Sequence, residues 1–354
     1  MAKTVKLADV AKAAKVSQGT VSNVFNRPDM VSPEMRERVM AAADSLGYRG
    51  PDPRGRLLRA GRVNAIGVVT SDYLRNFFEN GYTRRFLAGI AEECERHGAG
   101  LSLVSAQNDE IADWNIRTAV VDGFILNCVV EGSRLVDLAA RRGLPFVAVE
   151  FPPESGFNVV AADDDQGGRL AASHLIGLGH RRIGILSLEF DDSDKTGIVS
   201  EERAAQARYS PTRKRLHGYR ETFAGAGLDP RSIPIYETFN DRETVEAGVD
   251  AVLEAVPGLT AFLCMSDVIA IAAVHHLQAR GLRVPEDVSV IGFDDIDDAA
   301  SLDPPLTTIR QDIEEKGRVA MRKILGASEG EPVSSVILPV DLVVRRSTGP
   351  AREP

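Results

Sequence analysis

The chain has 354 residues and little that would take it out of a cell or through a membrane. No apolar run approaches the roughly 18 residues of a membrane span. The N-terminus, MAKTVKLADV, meets Asp9 before any apolar core and does not read as a secretory signal. Cysteine is scarce: Cys94, Cys128 and Cys264 are widely spaced with no CxxC pair. That excludes a disulfide framework or a zinc site and predicts small buried side chains in a cytoplasmic protein. Enzyme signatures are missing too: no GxxxxGK phosphate loop, no GxGxxG after the first strand, no GxSxG elbow and no HExxH. The six histidines are scattered, and His275–His276 lies in a helical stretch facing two sides. The run Asp163–Asp164–Asp165 reads as a turn and helix start. No catalytic group, metal or cofactor is expected.

What the chain does have is an uneven charge. It carries 42 Lys and Arg against 51 Asp and Glu, a formal net charge of -9. Residues 1–62 hold 12 basic and 6 acidic residues, a net of +6. The remaining 30 basic and 45 acidic residues leave -15 for positions 63–354. A basic head on an acidic body points to a polyanion that only the head can approach.

The head predicts three helices. Leu7, Val10 and Ala14 share one face of the first, from about Lys6 to Ala13. Ser17 caps the second, Gln18 to Phe25, which buries Val21 and Val24. Two short helices joined by a tight turn are a helix-turn-helix. Ser32 and Pro33 start a third helix ending at Gly47, with Val39, Ala43 and Leu46 closing the core. Gln18 and Asn23 suit base edges, and Ser17, Thr20, Ser22 and Asn26 suit phosphate oxygens. Leu7 and Gly19 complete the DNA-facing set.

The next stretch, GPDPRGRLLRAGR from Gly50 to Arg62, places Pro53 after the capping Asp52. A helix over Pro53–Arg59 is marginal alone, and Gly55 costs it about 1 kcal/mol relative to alanine. It is expected to order only on a template, with Arg54, Arg56 and Arg59 toward phosphates and Leu58 wedged into a minor groove.

From Asn64 apolar strands alternate with amphipathic helices. Strands are predicted at 65–69, 101–105, 123–126, 146–149, 182–186, 233–236, 261–265 and 289–293. Helices include 83–97, 166–178, 211–226, 244–255, 268–280 and 314–325. The pattern is α/β, long enough for two doubly wound parallel subdomains facing each other across a cleft at their strand ends.

These segments resemble the LacI/GalR family of bacterial transcriptional regulators. In the head the likeness rests on LADVAKAAKVSQGTVSNVFN, VSPEMRERVMAAADSLGYR and RLLRAGR. In the body it rests on VDGFILN, DDDQGGRLAASHLIGLGHRRIGIL, RKRLHGYRETFAGAGLD, SDVIAIAAVHHLQARGLRVPEDVSVIGFDDI and DPPLTTIRQ. The resemblance implies a periplasmic-binding-protein-like body with effector contacts at Ser71, Asn127, Glu150, Arg215, Ser266, Asp267, Asp294 and Gln311. Glu150 stands where the family more often has aspartate, Ser266–Asp267 where Asn–Asp is usual, and Gly50 reads as a one-residue insertion in the hinge.

The expected organisation is a DNA-binding head over 1–49, a hinge over 50–62, and an effector and dimerisation body over 63–354. Its two subdomains would be discontinuous, with crossings near Ser173, Ile309 and Pro339. The polar stretch Asp191–Ser200 is expected near the cleft. A solute-binding receptor would need a signal peptide and no basic head. A Rossmann-type enzyme would need a nucleotide loop. The implied function is a homodimeric repressor on a palindromic operator in double-stranded DNA, controlled by a small sugar-like or nucleoside-like effector.

Overall fold

A computed structural model describes residues 5–50, 62–127, 129–328 and 330–352. The chain divides into two compact units, Met1–Val63 and Asn64–Pro354. Cys128 and the predicted hinge helix with Arg54, Arg56 and Leu58 lie outside the described residues.

The first unit contains α1 (Leu7–Ala14), α2 (Gln18–Asn26) and α3 (Pro33–Ser45). Lys15 turns left-handed at φ 56° and closes α1. Ser17 then starts α2, its Oγ accepting from Thr20 N at 3.0 Å, and Ser32 starts α3 the same way through Met35 N. Val10, Ala14, Val21, Val24, Val39 and Ala43 form the buried core. Leu46 does not join them: it is the residue after α3 and is 36 % exposed. Tyr48, two residues on, packs on that core instead and meets Phe25 edge to face at 5.7 Å.

In the second unit β1 (Ala65–Thr70), β2 (Gly100–Ser105), β3 (Gly123–Asn127), β4 (Phe146–Val149), β5 (Asn158–Ala162) and β12 (Ser335–Leu338) form a parallel sheet. Its order is β12-β5-β4-β3-β1-β2. The second sheet joins β6 (Ile183–Ser187), β7 (Gly197–Ile198), β8 (Ile235–Glu237), β9 (Ala261–Cys264), β10 (Ser289–Asp294), β11 (Thr307–Gln311) and β13 (Val340–Val343). Its order is β13-β11-β10-β9-β6-β8-β7, antiparallel only at the two edges. Helices α4 (Asn76–Glu79), α5 (Gly81–His97), α6 (Asp109–Thr118) and α7 (Arg134–Arg141) follow the strands of the first sheet. Helices α8 (Asp164–Gly177), α9 (Glu201–Ala205), α10 (Ser210–Gly225), α11 (Arg242–Ala255), α12 (Asp267–Ala279) and α13 (Asp297–Ser301) belong to the second. The last helix, α14 (Ile313–Ser328), returns to pack on α5.

Both sheets are buried on both faces, which is why their strands read as continuous apolar runs. Ile183 and Ile185 of β6 enter one core and Leu186 the other, as the two-residue period requires. The chain changes subdomain at Asp163, Asp312 and Pro339. The first crossing comes ten residues before Ser173 because α8 already packs on α10 in the second subdomain.

Glycines let two helix pairs approach closely. A Cβ at Gly89 of α5 would collide with the carbonyl of Glu314, and one at Gly317 of α14 with that of Phe86. Gly168 of α8 and Gly218 of α10 face backbone in the same way. Gly89→Ala is expected to lower stability by about 1–3 kcal/mol through overpacking, read as a lower urea midpoint with an unchanged slope.

Candidate ligand cleft and nucleic-acid interface

Strand ends of the two sheets face each other across a cavity of about 250 Å3. Six of the eight predicted effector contacts line it: Ser71, Asn127 and Glu150 from the first subdomain, and Arg215, Ser266 and Asp294 from the second. Asp267 and Gln311 do not. Asp267 is fully buried behind the wall, where it accepts from Thr308 Oγ1 at 2.5 Å and Ile296 N at 2.9 Å. Gln311 also sits behind it, donating Nε2 to Asp294 Oδ1 at 2.6 Å. Gln311 thereby holds a wall residue in place, while Asp267 ties the start of α12 to β11 and to the segment after β10.

The backbone at the wall is unusual. Six described non-glycine residues have positive φ, and Glu150 (56°), Asn240 (55°) and Asp294 (123°) line the cavity. Such conformations cost energy and persist where surrounding structure imposes them. Here they turn strand-end side chains into the cleft.

Arg215 is the best-held group. Its Nε donates to Asp164 Oδ1 at 2.8 Å, a further nitrogen bonds Met265 O, and the guanidinium lies 3.6 Å over the Phe293 ring centroid. Its Nη2 makes no hydrogen bond among the described residues. Burial works against the charge, but Asp164 and Asp294 outweigh it and raise the Arg215 pKa. Asp294 is itself pushed up to about 6 by burial, although Arg215 and Gln311 oppose this. Ser266 is less available: its hydroxyl donates to Asn240 Oδ1 and accepts from Ile269 N as the cap of α12.

Several lining residues were not legible in the sequence. Asp72, Tyr73, Asn80 and Tyr82 come from the loop after β1 and the start of α5, while Glu189, Tyr209, Thr212, Phe239 and Asn240 border the cavity from the second subdomain. These segments lack a repeated pattern, and only their position after a strand or before a helix could have marked them. The stretch Asp191–Ser200 mostly runs away from the cleft. Its β7 is the edge strand, pairing antiparallel with β8, and Arg203 clamps Asp191 and Glu237, at 2.9 and 2.7 Å from one of its nitrogens. Asp194 borders the outer mouth.

Burial, with the Asp72, Glu237 and Asp241 carboxylates nearby, pushes Glu189 up to about 7. The folded protein therefore keeps this proton to a higher pH than the unfolded chain. The stability it contributes is fully present below about pH 4.5 and is lost as pH rises through about 7. Glu189→Gln is expected to flatten the fall of the thermal midpoint between pH 5 and 8. Asp294 leaves part of the slope in place.

On the head, Gln18, Gly19 and Asn23 are exposed on α2, and Thr20 and Ser22 are half-buried. Ser17 and Thr20 bond each other at 2.9 Å, and Asn26 donates to Ser22 at 3.1 Å. The Gln18 and Asn23 side chains make no hydrogen bond among the described residues. A Cβ at Gly19 would meet only Ser17 Oγ, at 3.5 Å, so packing does not demand glycine there. Leu7 is half-buried against the core and contributes only an edge to this face. Among the described residues no His, Cys, Asp and Glu group could hold a metal, and no helix is long and apolar enough to cross a membrane.

A helix-turn-helix head and a two-lobed, cleft-bearing α/β body together define a DNA-binding transcriptional regulator under ligand control. The description "bacterial regulatory proteins, lacI family" matches residues 6–50, and "periplasmic binding protein-like domain" matches 172–348. The chain is 38% identical over 350 residues to the HTH-type transcriptional regulator Rv3575c of Mycobacterium tuberculosis, covering 97% of each. Among solved structures it is similar to the lac repressor dimer bound to operator and the anti-inducer ONPF (TM-score 0.77, 28% identity, 98% of this chain and 100% of that one). It is also similar to the CelR–cellobiose complex (TM-score 0.71, 28% identity, 97% and 100%). The chain belongs to the LacI family of bacterial transcriptional regulators, which are DNA-binding proteins and not enzymes.

Proposed function

We propose that this regulator works in the cytoplasm as a homodimeric repressor whose hold on a palindromic operator is set by a neutral, hydroxyl-rich ligand in the cleft. The observation that carries the reading is the cavity itself, walled by polar strand-end residues of both subdomains. Asp294 and Glu150 offer carboxylate oxygens, Arg215 a free N–H, and Tyr73 and Phe239 apolar faces. That set suits hydroxyl groups presented around a small ring. The cavity is below the roughly 300–1,000 Å3 of drug-sized sites, so a monosaccharide or nucleoside is the right scale. Likeness to the CelR–cellobiose complex supports a sugar, and likeness to the lac repressor dimer on its operator supports the dimer.

In this reading Gln18 and Asn23 read base edges, Ser17, Thr20, Ser22 and Asn26 meet phosphates, and Gly19 keeps α2 close to the groove. Residues 50–62 form the hinge, with Arg54 and Arg56 toward phosphates and Leu58 toward the minor groove. A ligand that binds one subdomain arrangement better shifts the population toward it. In a dimer that alters the separation of the two hinges, and hence operator affinity. The test is selection of sites by the full-length protein from a random duplex library at two salt concentrations. A palindrome of about 14–20 base pairs whose affinity falls steeply with salt is expected. A non-palindromic or unenriched pool, with and without cell extract, would contradict the reading.

A further inference from the structure

Lys316 is the least expected side chain of the second unit. It sits in the charged run IEEKGR of α14, yet it is fully buried. Its Nζ donates to Glu150 Oε1, to Gln311 Oε1 and, at 3.1 Å, to Tyr82 OH. All three ammonium protons are thereby used. The same nitrogen lies 5.2 Å from the Tyr82 ring centroid.

Two of these partners, Glu150 and Tyr82, line the cavity from the first subdomain. The third, Gln311, ends β11 in the second sheet and passes the contact to Asp294, which lines the cavity from the opposite side. The chain Glu150–Lys316–Gln311–Asp294 therefore joins one wall of the cleft to the other, and all four members are buried. A hydrophobic residue of similar volume would fill the space of Lys316 without this link. In a dry interior such a network is strong when complete and costly when one member is lost.

We propose that Lys316 is a positioning residue that couples the two walls of the cleft: it fixes the Glu150 carboxylate and transmits its displacement through Gln311 to Asp294. This rests on the cleft being the effector site. A ligand that draws on either carboxylate then acts on both subdomains, although Lys316 need not touch it.

The test is a thermodynamic cycle in the full chain. Glu150→Gln, Asp294→Asn and the double variant are unfolded in urea, followed by Trp114, the single tryptophan. With Lys316 in place, the double variant should depart from the product of the single effects on the unfolding constant by at least tenfold. With Lys316→Met added, it should return to within about twofold of that product, as for uncoupled sites. If Lys316→Met alone does not fold, Gln311→Met cuts the same chain and should abolish the coupling equally. Additive effects with Lys316 present, or coupling that survives both cuts, would overturn the proposal.

A second readout separates positioning from packing. Without ligand, the folded Lys316→Met or Gln311→Met protein should change operator affinity at least fivefold. A lowered urea midpoint with unchanged operator affinity would make Lys316 a packing residue and also overturn the proposal. Neither measurement uses ligand, so a cleft that binds nothing would sink the proposed function without altering this answer.

Discussion

Replacing Asp164 by asparagine and Arg215 by methionine together yields a protein that binds its operator with wild-type affinity and no longer answers to ligand. Both residues are nearly fully buried, and among the described residues the guanidinium is the one cation lining the cavity. A hydrogen bond from a charged group contributes about 1.5–3 kcal/mol, so ligand affinity should fall about 10- to 150-fold. Arg215→Met alone would confound the result. It strands the Asp164 carboxylate in the interior at a cost of about 3–5 kcal/mol, whereas adding Asp164→Asn leaves only a neutral amide short of a partner, at about 1–3 kcal/mol. The checks are thermal unfolding with and without ligand, and operator binding by fluorescence anisotropy. A ligand-induced rise in midpoint equal to that of the wild type would remove Arg215 from the site.

The second large effect is on the head. Gln18→Ala and Asn23→Ala should each cost about 1–3 kcal/mol of operator discrimination, because a base edge loses its partner. Both side chains are exposed and make no hydrogen bond among the described residues, so stability should hardly change. Binding to random duplex, and the steepness of the salt dependence, should stay as they were, since phosphate contacts are untouched. Equal losses on operator and random DNA would show that these side chains do not read bases. Ser17 differs: it is already the cap of α2, so Ser17→Ala mixes a helix loss of about 1 kcal/mol with any phosphate contact.

How much of this was legible in the sequence follows from which signals are local. The helices of the head announce themselves through Ser17, Ser32 and Pro33, whose capping chemistry depends on nearby backbone alone. Most buried strands show as apolar runs, yet β5 was missed although it is one, and β12 and β13 were missed because they are short, flank Pro339 and belong to different sheets. Leu46 was placed in the core because the helical period was carried past the point where α3 ends. The family resemblance pointed to Glu150, Arg215 and Asp294, which line the cavity, yet it could not separate a wall residue from one behind the wall. Asp267 and Gln311 follow or end strands much as Glu150 and Asp294 do, yet neither lines the cavity. Lys316 was hidden for a related reason. Among Glu314, Glu315 and Arg318 it reads as one more solvated charge, and only the fold shows that α14 turns that position inward against Glu150.

The measurement that tests the account most directly is operator affinity of the full-length protein against a fractionated low-molecular-mass extract, with wild type and the Asp164→Asn/Arg215→Met protein side by side. The account predicts one or more neutral fractions that shift wild-type affinity at least tenfold and leave the variant unchanged. A shift of equal size in both proteins would place the controlling ligand outside this cleft and contradict the account.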